Sequence, residues 1–254
     1  MSTGSAPDAP LRVAVTGARG RMGSQACAAL EAAPDLRLVA ALGRGDDLAA
    51  AAGADVLVDL TVPGAVMGNV ERALAMGLHV VTGTTGFTDE RVAQVEAWQC
   101  ASGRNVLIAT NFGLGAVLVM QFAKRAARYF ESVEVVELHH PGKVDAPSGS
   151  AVRTARLIAQ ARAEAGLGPS PDATEQSLPG ARGAVVDGVH VHAVRMRGMT
   201  AHQEVVLGGP GETLTLRDDT YDRAAYMPGL LLGVRQVASR PGVTVGLEHY
   251  LDLA

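Results

Sequence analysis

The run Val13-Ala14-Val15-Thr16-Gly17-Ala18-Arg19-Gly20-Arg21-Met22-Gly23 decides how the first half of this chain folds. Residues 11–16 form a short apolar stretch that reads as a buried strand, and residues 22–33 read as a helix. Between them Gly17, Gly20 and Gly23 make a G-x-x-G-x-x-G spacing. Such glycines allow a tight turn and a close backbone approach to a pyrophosphate, while the helix start offers free N–H groups and the positive end of its dipole. The strand–turn–helix setting favours a dinucleotide-binding loop over a merely structural glycine turn.

Working outward, residues 36–42, 56–60, 79–82 and 106–109 read as further strands. Helical stretches at 63–76 and 89–101 lie among them. This alternation predicts a doubly wound parallel sheet of Rossmann type, with helices on both faces. The second half reads differently. A helix at 116–130, a strand at 133–138 and a helix at 151–165 precede a Pro/Gly-rich loop, 166–183. Strands at 189–196, 204–207 and 213–216 follow, with a strong turn at Gly209-Pro210-Gly211, and residues 224–238 return to helix. The expectation is an α/β chain whose second domain is α+β with a mixed sheet. The first domain takes residues 1–113 and 223–254, the second 114–222. Hinges fall near Phe112–Gly115 and Arg223, where the chain passes between domains and would flex as they close.

Composition narrows the function. The 254 residues suffice for one large or two modest domains, and 48% hydrophobic with 19% charged residues is a globular mixture. Aromatic residues make up 4% and the net charge is −4 without a basic block, which argues against a nucleic-acid partner. No apolar run approaches the roughly 20 residues that span a bilayer, so no membrane partner is expected. Residues 1–10 read as a frayed tail rather than a secretion signal, and Cys27 and Cys100 suggest neither a disulfide framework nor a metal pair; a cytoplasmic location fits. Of 22 basic side chains only Lys124 and Lys143 are lysines, so each invites a reason. Arg91 reads as remote surface.

The end of the second strand, Ala40-Ala41-Leu42-Gly43-Arg44, lacks the acidic residue that would hold the ribose hydroxyls of NAD. Arg44, with Arg19 and Arg21 of the glycine loop, could instead neutralise a 2′-phosphate. NADPH is therefore favoured and NADH remains possible. The alternative leaves these arginines as solvated surface charge, and Asp46 and Asp47 stand close enough to oppose the argument if the loop bends back. A second glycine turn, Thr82-Gly83-Thr84-Thr85-Gly86, follows the fourth strand, where ligands bind in open α/β sheets; alone, it could equally be structural.

The densest chemistry lies in Glu137-Leu138-His139-His140-Pro141-Gly142-Lys143-Val144-Asp145-Ala146-Pro147-Ser148-Gly149-Ser150-Ala151. Two histidines, a lysine and an aspartate crowd one strand-to-helix loop. The Ser-Gly-Ser helix start is a candidate carboxylate site, with Gly149 and Ser150 supplying N–H groups. The plainer reading makes the serine an N-cap and the histidines partners of backbone groups. A zinc reading lacks a third ligand at metal-type spacing.

This segment, as E-x-H-H-x-x-K-x-D-A-P-S-G-[ST]-A, resembles the signature of the dihydrodipicolinate reductase family. The glycine loop 17–23, VTGTTGF at 81–87 and ATNFGLG at 109–115 are similar to that family's segments in the same order, and the resemblance covers nearly the whole chain. It implies hydride transfer from NADPH or NADH to a cyclic dicarboxylate, two domains, and a homotetramer built through the sheets of the substrate domain. Carried over by motif, His139 would be the general acid and Lys143 its partner. His140, Lys143, Gly149 and Ser150 would bind substrate. Cofactor contacts would come from Gly17, Arg19, Gly20, Arg21, Met22, Gly23, Arg44, Gly83, Thr84, Thr85, Ala109, Asn111 and Phe112, with no metal. Ser150 stands where threonine is common, and Gly43 where an acidic residue is often found. Another two-domain dehydrogenase would share the glycine loop but not the H-H-x-x-K run; a non-catalytic relic would lack His139 or Lys143.

Overall fold

The computed structural model describes residues 9–253, so the first eight positions of the expected tail lie outside the described residues. Its elements in chain order are β1 (Leu11–Thr16), α1 (Arg21–Ala32), β2 (Leu36–Leu42), β3 (Val56–Asp59), α2 (Val66–Ala75), β4 (His79–Thr82), α3 (Asp89–Ser102), β5 (Val106–Ile108), α4 (Leu114–Ala126), β6 (Ser132–His139), α5 (Gly149–Glu164), β7 (Ala184–Val186), β8 (Val189–Arg195), β9 (Ala201–Gly209), β10 (Glu212–Thr220), α6 (Met227–Gln236) and β11 (Val243–Val245). They divide into two compact units, with boundaries between Phe112 and Gly113 and between Ala225 and Tyr226.

The first unit holds a six-stranded sheet in the order β11-β5-β4-β3-β1-β2, parallel throughout. β3 and β5 are buried at every residue, as expected when both faces of a parallel sheet are covered. Leu57, Leu74, Leu78, Val80 and Ile108 are among the side chains of one core cluster. The chain leaves β1 outward to β2 and returns to β3 on the other side, so the switch in strand order lies between β1 and β3. That crevice, at the carboxyl ends of the strands, is where this class of sheet binds its ligands.

The second unit holds a mixed sheet in the order β10-β9-β6-β8-β7. β6 alternates half-buried and buried residues along its length. Val133 and Val135 pack with Val205, Leu207 and Ile158 of α5 in a second core cluster, and Glu137 and His139 continue that inward row.

Several elements differ from the sequence-based expectation. β7 and β11 have three residues each, too few for periodicity to reveal, and each adds an edge to its sheet. β9 and β10 run nine residues each, because Ala201, His202 and Gln203, before the expected strand 204–207, pair across the hairpin with Thr220, Asp219 and Asp218, after the expected strand 213–216, and Arg217 pairs with Glu204. The expected final helix is broken. A 3-10 turn at Arg223–Tyr226 leads into α6, which ends in a second 3-10 turn at Val237–Ser239.

No helix among the described residues is long and apolar enough to cross a membrane.

Candidate active site

Two glycines of the first loop are dictated by contact. A Cβ on Gly17, whose φ is +76°, would lie 2.3 Å from the Leu60 carbonyl oxygen, and one on Gly23 would lie 2.0 Å from that of Gly17. Any side chain at either place would push α1 off the end of β1. Gly20 is the N-cap of α1 and makes no side-chain cap, so the first-turn N–H groups of the helix meet no capping oxygen and suit an anion, while the N–H of Gly20 itself donates to the Gly17 carbonyl at 2.9 Å. Arg19 and Arg21 are exposed and Met22 is half-buried. These features fit a pyrophosphate.

The three segments that sequence singled out for the cofactor come together in this unit. Gly83 packs so close to Phe112 that a Cβ would meet the ring at 2.6 Å, and the Ala109 N–H donates to the Thr82 carbonyl at 2.8 Å. Phe112 is buried, whereas Thr85 is exposed. Thr84 is also buried, with its hydroxyl turned inward to Asp59 at 2.7 Å. Arg91 is not remote surface: its guanidinium donates to the carbonyls of Gly86 at 2.9 Å and Pro63 at 3.1 Å and so braces the second glycine turn.

The arginine argument for NADPH meets a counterweight. The loop after β2 does bend back, and the Asp46 carboxylate accepts from Gly43 N–H at 2.8 Å and from Arg19 at 3.1 Å. A carboxylate thus stands at the end of β2 after all, three residues later than the fingerprint expects. Arg44 is exposed.

In the second unit, one hydrogen-bond network joins the strand end to the helix start. His139 Nδ1 lies 2.6 Å from Oε2 of Glu137, which has no exposed surface. Arg195 grips both Glu137 oxygens at 2.7 and 2.8 Å, and Ser148 N–H donates to Oε1 at 3.0 Å. Arg195 reaches on to the Asp145 carbonyl at 2.7 Å. The Asp145 carboxylate in turn accepts from Lys143 Nζ at 2.6 Å and from Gly149 N–H at 3.2 Å. Ser148 is the N-cap of α5, its hydroxyl accepting from Ala151 N–H at 3.2 Å and lying 3.2 Å from that of Ser150. His140 is exposed and its carbonyl accepts from Lys143 N–H, so its side chain stands outside this network.

The charges follow from these contacts. Burial pushes the His139 imidazole below its ordinary pKa; Glu137 pulls it back up, while Lys143 and Arg195 depress it further. Burial would raise Glu137, but Arg195, His139 and Ser148 N–H outweigh it and hold the carboxyl below its usual range. Lys143 does the same to Asp145. Among the described residues no group of three or more His, Cys, Asp and Glu side chains could hold a metal.

Sequence reasoning missed Arg195, Asp145 as a partner, and Asp59. Asp59 had a signal: a carboxylate ending the all-apolar strand Val56-Leu57-Val58 is too costly to bury without purpose. Arg195 had none, because its partner lies 58 residues away.

The loop 166–183 is held away from His139. Arg162 donates to the carbonyls of Phe130, Glu131 and Gly168, and Ser170 accepts from Val133 N–H at 3.2 Å. Arg182 pairs with Glu134 and with Asp172. These anchors all lie around the start of β6, whereas His139 is its last residue. The reason is geometric: α5 has 16 residues, so it carries the chain about 24 Å back along the strand before the loop begins.

Comparison with known proteins agrees with the geometry. The model of "Dihydrodipicolinate reductase, N-terminus" matches residues 11–112, and that of "Dihydrodipicolinate reductase, C-terminus" matches residues 115–251. A 4-hydroxy-tetrahydrodipicolinate reductase of Streptomyces griseus is 65% identical over 246 residues, which is 96% of this chain and 98% of that protein. The dipicolinate-bound dihydrodipicolinate reductase of Paenisporosarcina sp. TG-14 superposes with a TM-score of 0.86 at 35% identity, covering 95% of this chain and 100% of that one. GenD2 from gentamicin A biosynthesis, solved in complex with NAD, shares the fold at a TM-score of 0.62 and 17% identity, with 98% and 93% covered. With both halves matched in order and near-complete relatives at such identity, this chain belongs to the dihydrodipicolinate reductase family.

Proposed function

We propose that this chain reduces 4-hydroxy-tetrahydrodipicolinate, whose 4-hydroxyl leaves as water to give dihydrodipicolinate, to tetrahydrodipicolinate by hydride transfer from NAD(P)H with uptake of one proton, in the diaminopimelate route to lysine. The observation that carries this reading is the double grip of Lys143 and Gly149 N–H on one carboxylate, that of Asp145. Those two donors are the ones the family signature assigns to the substrate. Their geometry already suits a carboxylate, and a dicarboxylate substrate would displace Asp145 from them. Ser150 and His140, at the same helix start and loop, complete the substrate contacts.

When bound, reduced nicotinamide supplies the hydride. His139 holds its Nδ1 proton against Glu137, which leaves Nε2 to carry the proton that the reduced substrate takes up. Lys143 anchors the substrate anion and, by its charge, makes the His139 imidazolium a better acid. In this reading the first unit binds the dinucleotide through Gly17, Arg19, Gly20, Arg21, Met22, Gly23, Gly83, Thr84, Thr85, Ala109, Asn111 and Phe112, with Arg44 near the 2′-position; the second unit binds substrate. Arg21 and Arg44 favour NADPH, while the Asp46 carboxylate offers NADH a ribose acceptor and ties up Arg19. NADPH is thus preferred and NADH accepted.

The reading includes a homotetramer formed through the second unit's sheet. Supporting it, Val136, Leu138 and Val206 lie half-buried on the face opposite the α5 core. A cytoplasmic location suits the free thiols of Cys27 and Cys100.

The test is oxidation of NADPH and of NADH, followed separately at ~340 nm, a wavelength where only the reduced cofactor absorbs, with fresh dihydrodipicolinate synthase product. Oxidation that depends on the synthase product establishes the reaction. A folded protein that oxidises neither cofactor refutes it.

A further inference from the structure

Asp59 is a fully buried carboxylate that the chemistry above does not use. It is the last residue of β3, in register with Thr16 at the end of β1 and with Thr82 at the end of β4. It therefore sits at the switch in strand order. Its oxygens accept from Thr16 Oγ1 at 2.9 Å, Thr61 Oγ1 at 2.9 Å, Thr61 N–H at 3.3 Å, Asn69 Nδ2 at 2.7 Å and Thr84 Oγ1 at 2.7 Å. Its carbonyl also accepts from Gly83 N–H at 3.0 Å.

Every one of these donors is neutral. A carboxylate stripped of water and given no cation is costly to bury, and packing alone would be served by an apolar residue such as Val58. What the carboxylate supplies instead is convergence. Thr16 is the residue before Gly17, Asn69 belongs to α2, and Thr84 lies in the second glycine turn. One side chain thus fixes both glycine turns and the helix between them.

We propose that Asp59 is the positioning residue of the cofactor site, locking the turns at 17–23 and 83–86 in the spacing that receives the dinucleotide. This rests on the reading that those turns bind NAD(P)H. Asp59 touches neither ligand; it acts through Thr16 and Thr84.

The test uses the full-length protein and three variants: Asp59→Asn, Thr16→Val and Gly20→Asp. Binding of NADPH and NADH is titrated by fluorescence, binding of dipicolinate by calorimetry, and folding is checked by thermal melting. Asp59→Asn disorders the donors without removing bulk, and Thr16→Val removes one hydroxyl, with its bond to Asp59 at 2.9 Å and its weaker contact to the Val58 carbonyl at 3.4 Å, should the first variant fold poorly. Each should weaken both cofactors about three- to tenfold, the range for one or two lost hydrogen bonds, and leave dipicolinate affinity at the wild-type value. In steady state the KM for cofactor should rise while the KM for substrate does not. General loosening would weaken both ligands, or lower the melting temperature alone, and either result overturns the proposal. Gly20→Asp places a carboxylate in the phosphate loop and should abolish cofactor binding. If it does so while folded Asp59→Asn and Thr16→Val bind cofactor normally, the positioning role fails and the site stands. If Gly20→Asp binds cofactor like wild type, the site reading fails and the positioning role falls with it.

Discussion

His139 Nδ1 lies 2.6 Å from a Glu137 carboxylate that has no exposed surface and that Arg195 holds by both oxygens. A carboxylate with its proton removed can only accept, so the shared hydrogen belongs to Nδ1 and the exchanging position is Nε2. Arg195 keeps Glu137 ionised and at the same time limits how far it can raise the histidine.

Glu137→Gln should therefore move the pH profile of kcat/KM to lower pH. Where an imidazolium gives the proton, rate declines as pH rises through its pKa. Glu137 raises that pKa against burial, so removing its charge lowers it and the decline begins earlier. The variant also leaves Arg195 facing a neutral amide, a loss of roughly 3 kcal/mol in urea unfolding. A folded variant with an unshifted profile would falsify the assignment of His139 as the titrating acid.

Lys143→Ala should lower kcat/KM by about 10²- to 10⁴-fold, the range for losing a charged partner in proton transfer, and should weaken dipicolinate binding. Arg37→Ala is the matching control, since Arg37 is exposed on β2. Equal activity in the two variants would remove Lys143 from the site.

Asp46→Asn should raise the ratio of NADPH to NADH efficiency by up to about fivefold, because it frees Arg19 for the 2′-phosphate at the strength of an exposed ion pair. Parallel cofactor titrations read the ratio. An unchanged ratio would mean that Arg19 does not read the 2′-position.

Acid should loosen the second unit early. Glu134, Glu137, Asp172 and Asp219 all have folded pKa values below their ordinary ones: Arg182 and His192 overcome burial at Glu134, Arg195 does so at Glu137, the Thr174 hydroxyl acts first at Asp172, and Arg217 first at Asp219. Each contributes stability that is complete above its unfolded value, near 4. That contribution fades as pH falls towards the lower folded value, which for Asp172 is about 2. The melting temperature, followed by circular dichroism, should fall steadily from pH 5 to about pH 2, the window those shifts define. A flat curve there would contradict the ion-pair network.

Sequence alone determined the local and the repetitive parts of this protein. The strand–turn–helix setting of the glycines at 17, 20 and 23 and the apolar runs of the parallel sheet are self-evident, and the chemistry-bearing loop 137–151 is contiguous, so its family likeness was legible in one stretch. The tertiary structure decided everything that depends on residues distant in sequence meeting. It showed that Asp46 turns back onto Arg19, that Arg91 braces a glycine turn instead of facing solvent, and that the loop 166–183 is anchored at the far end of β6. It also brought Arg195 to Glu137 and gathered Thr16, Asn69 and Thr84 around Asp59. Periodicity reports which face of an element is buried, but a hydrogen bond between strand ends depends on strand order and register, and those are settled only when the sheets assemble.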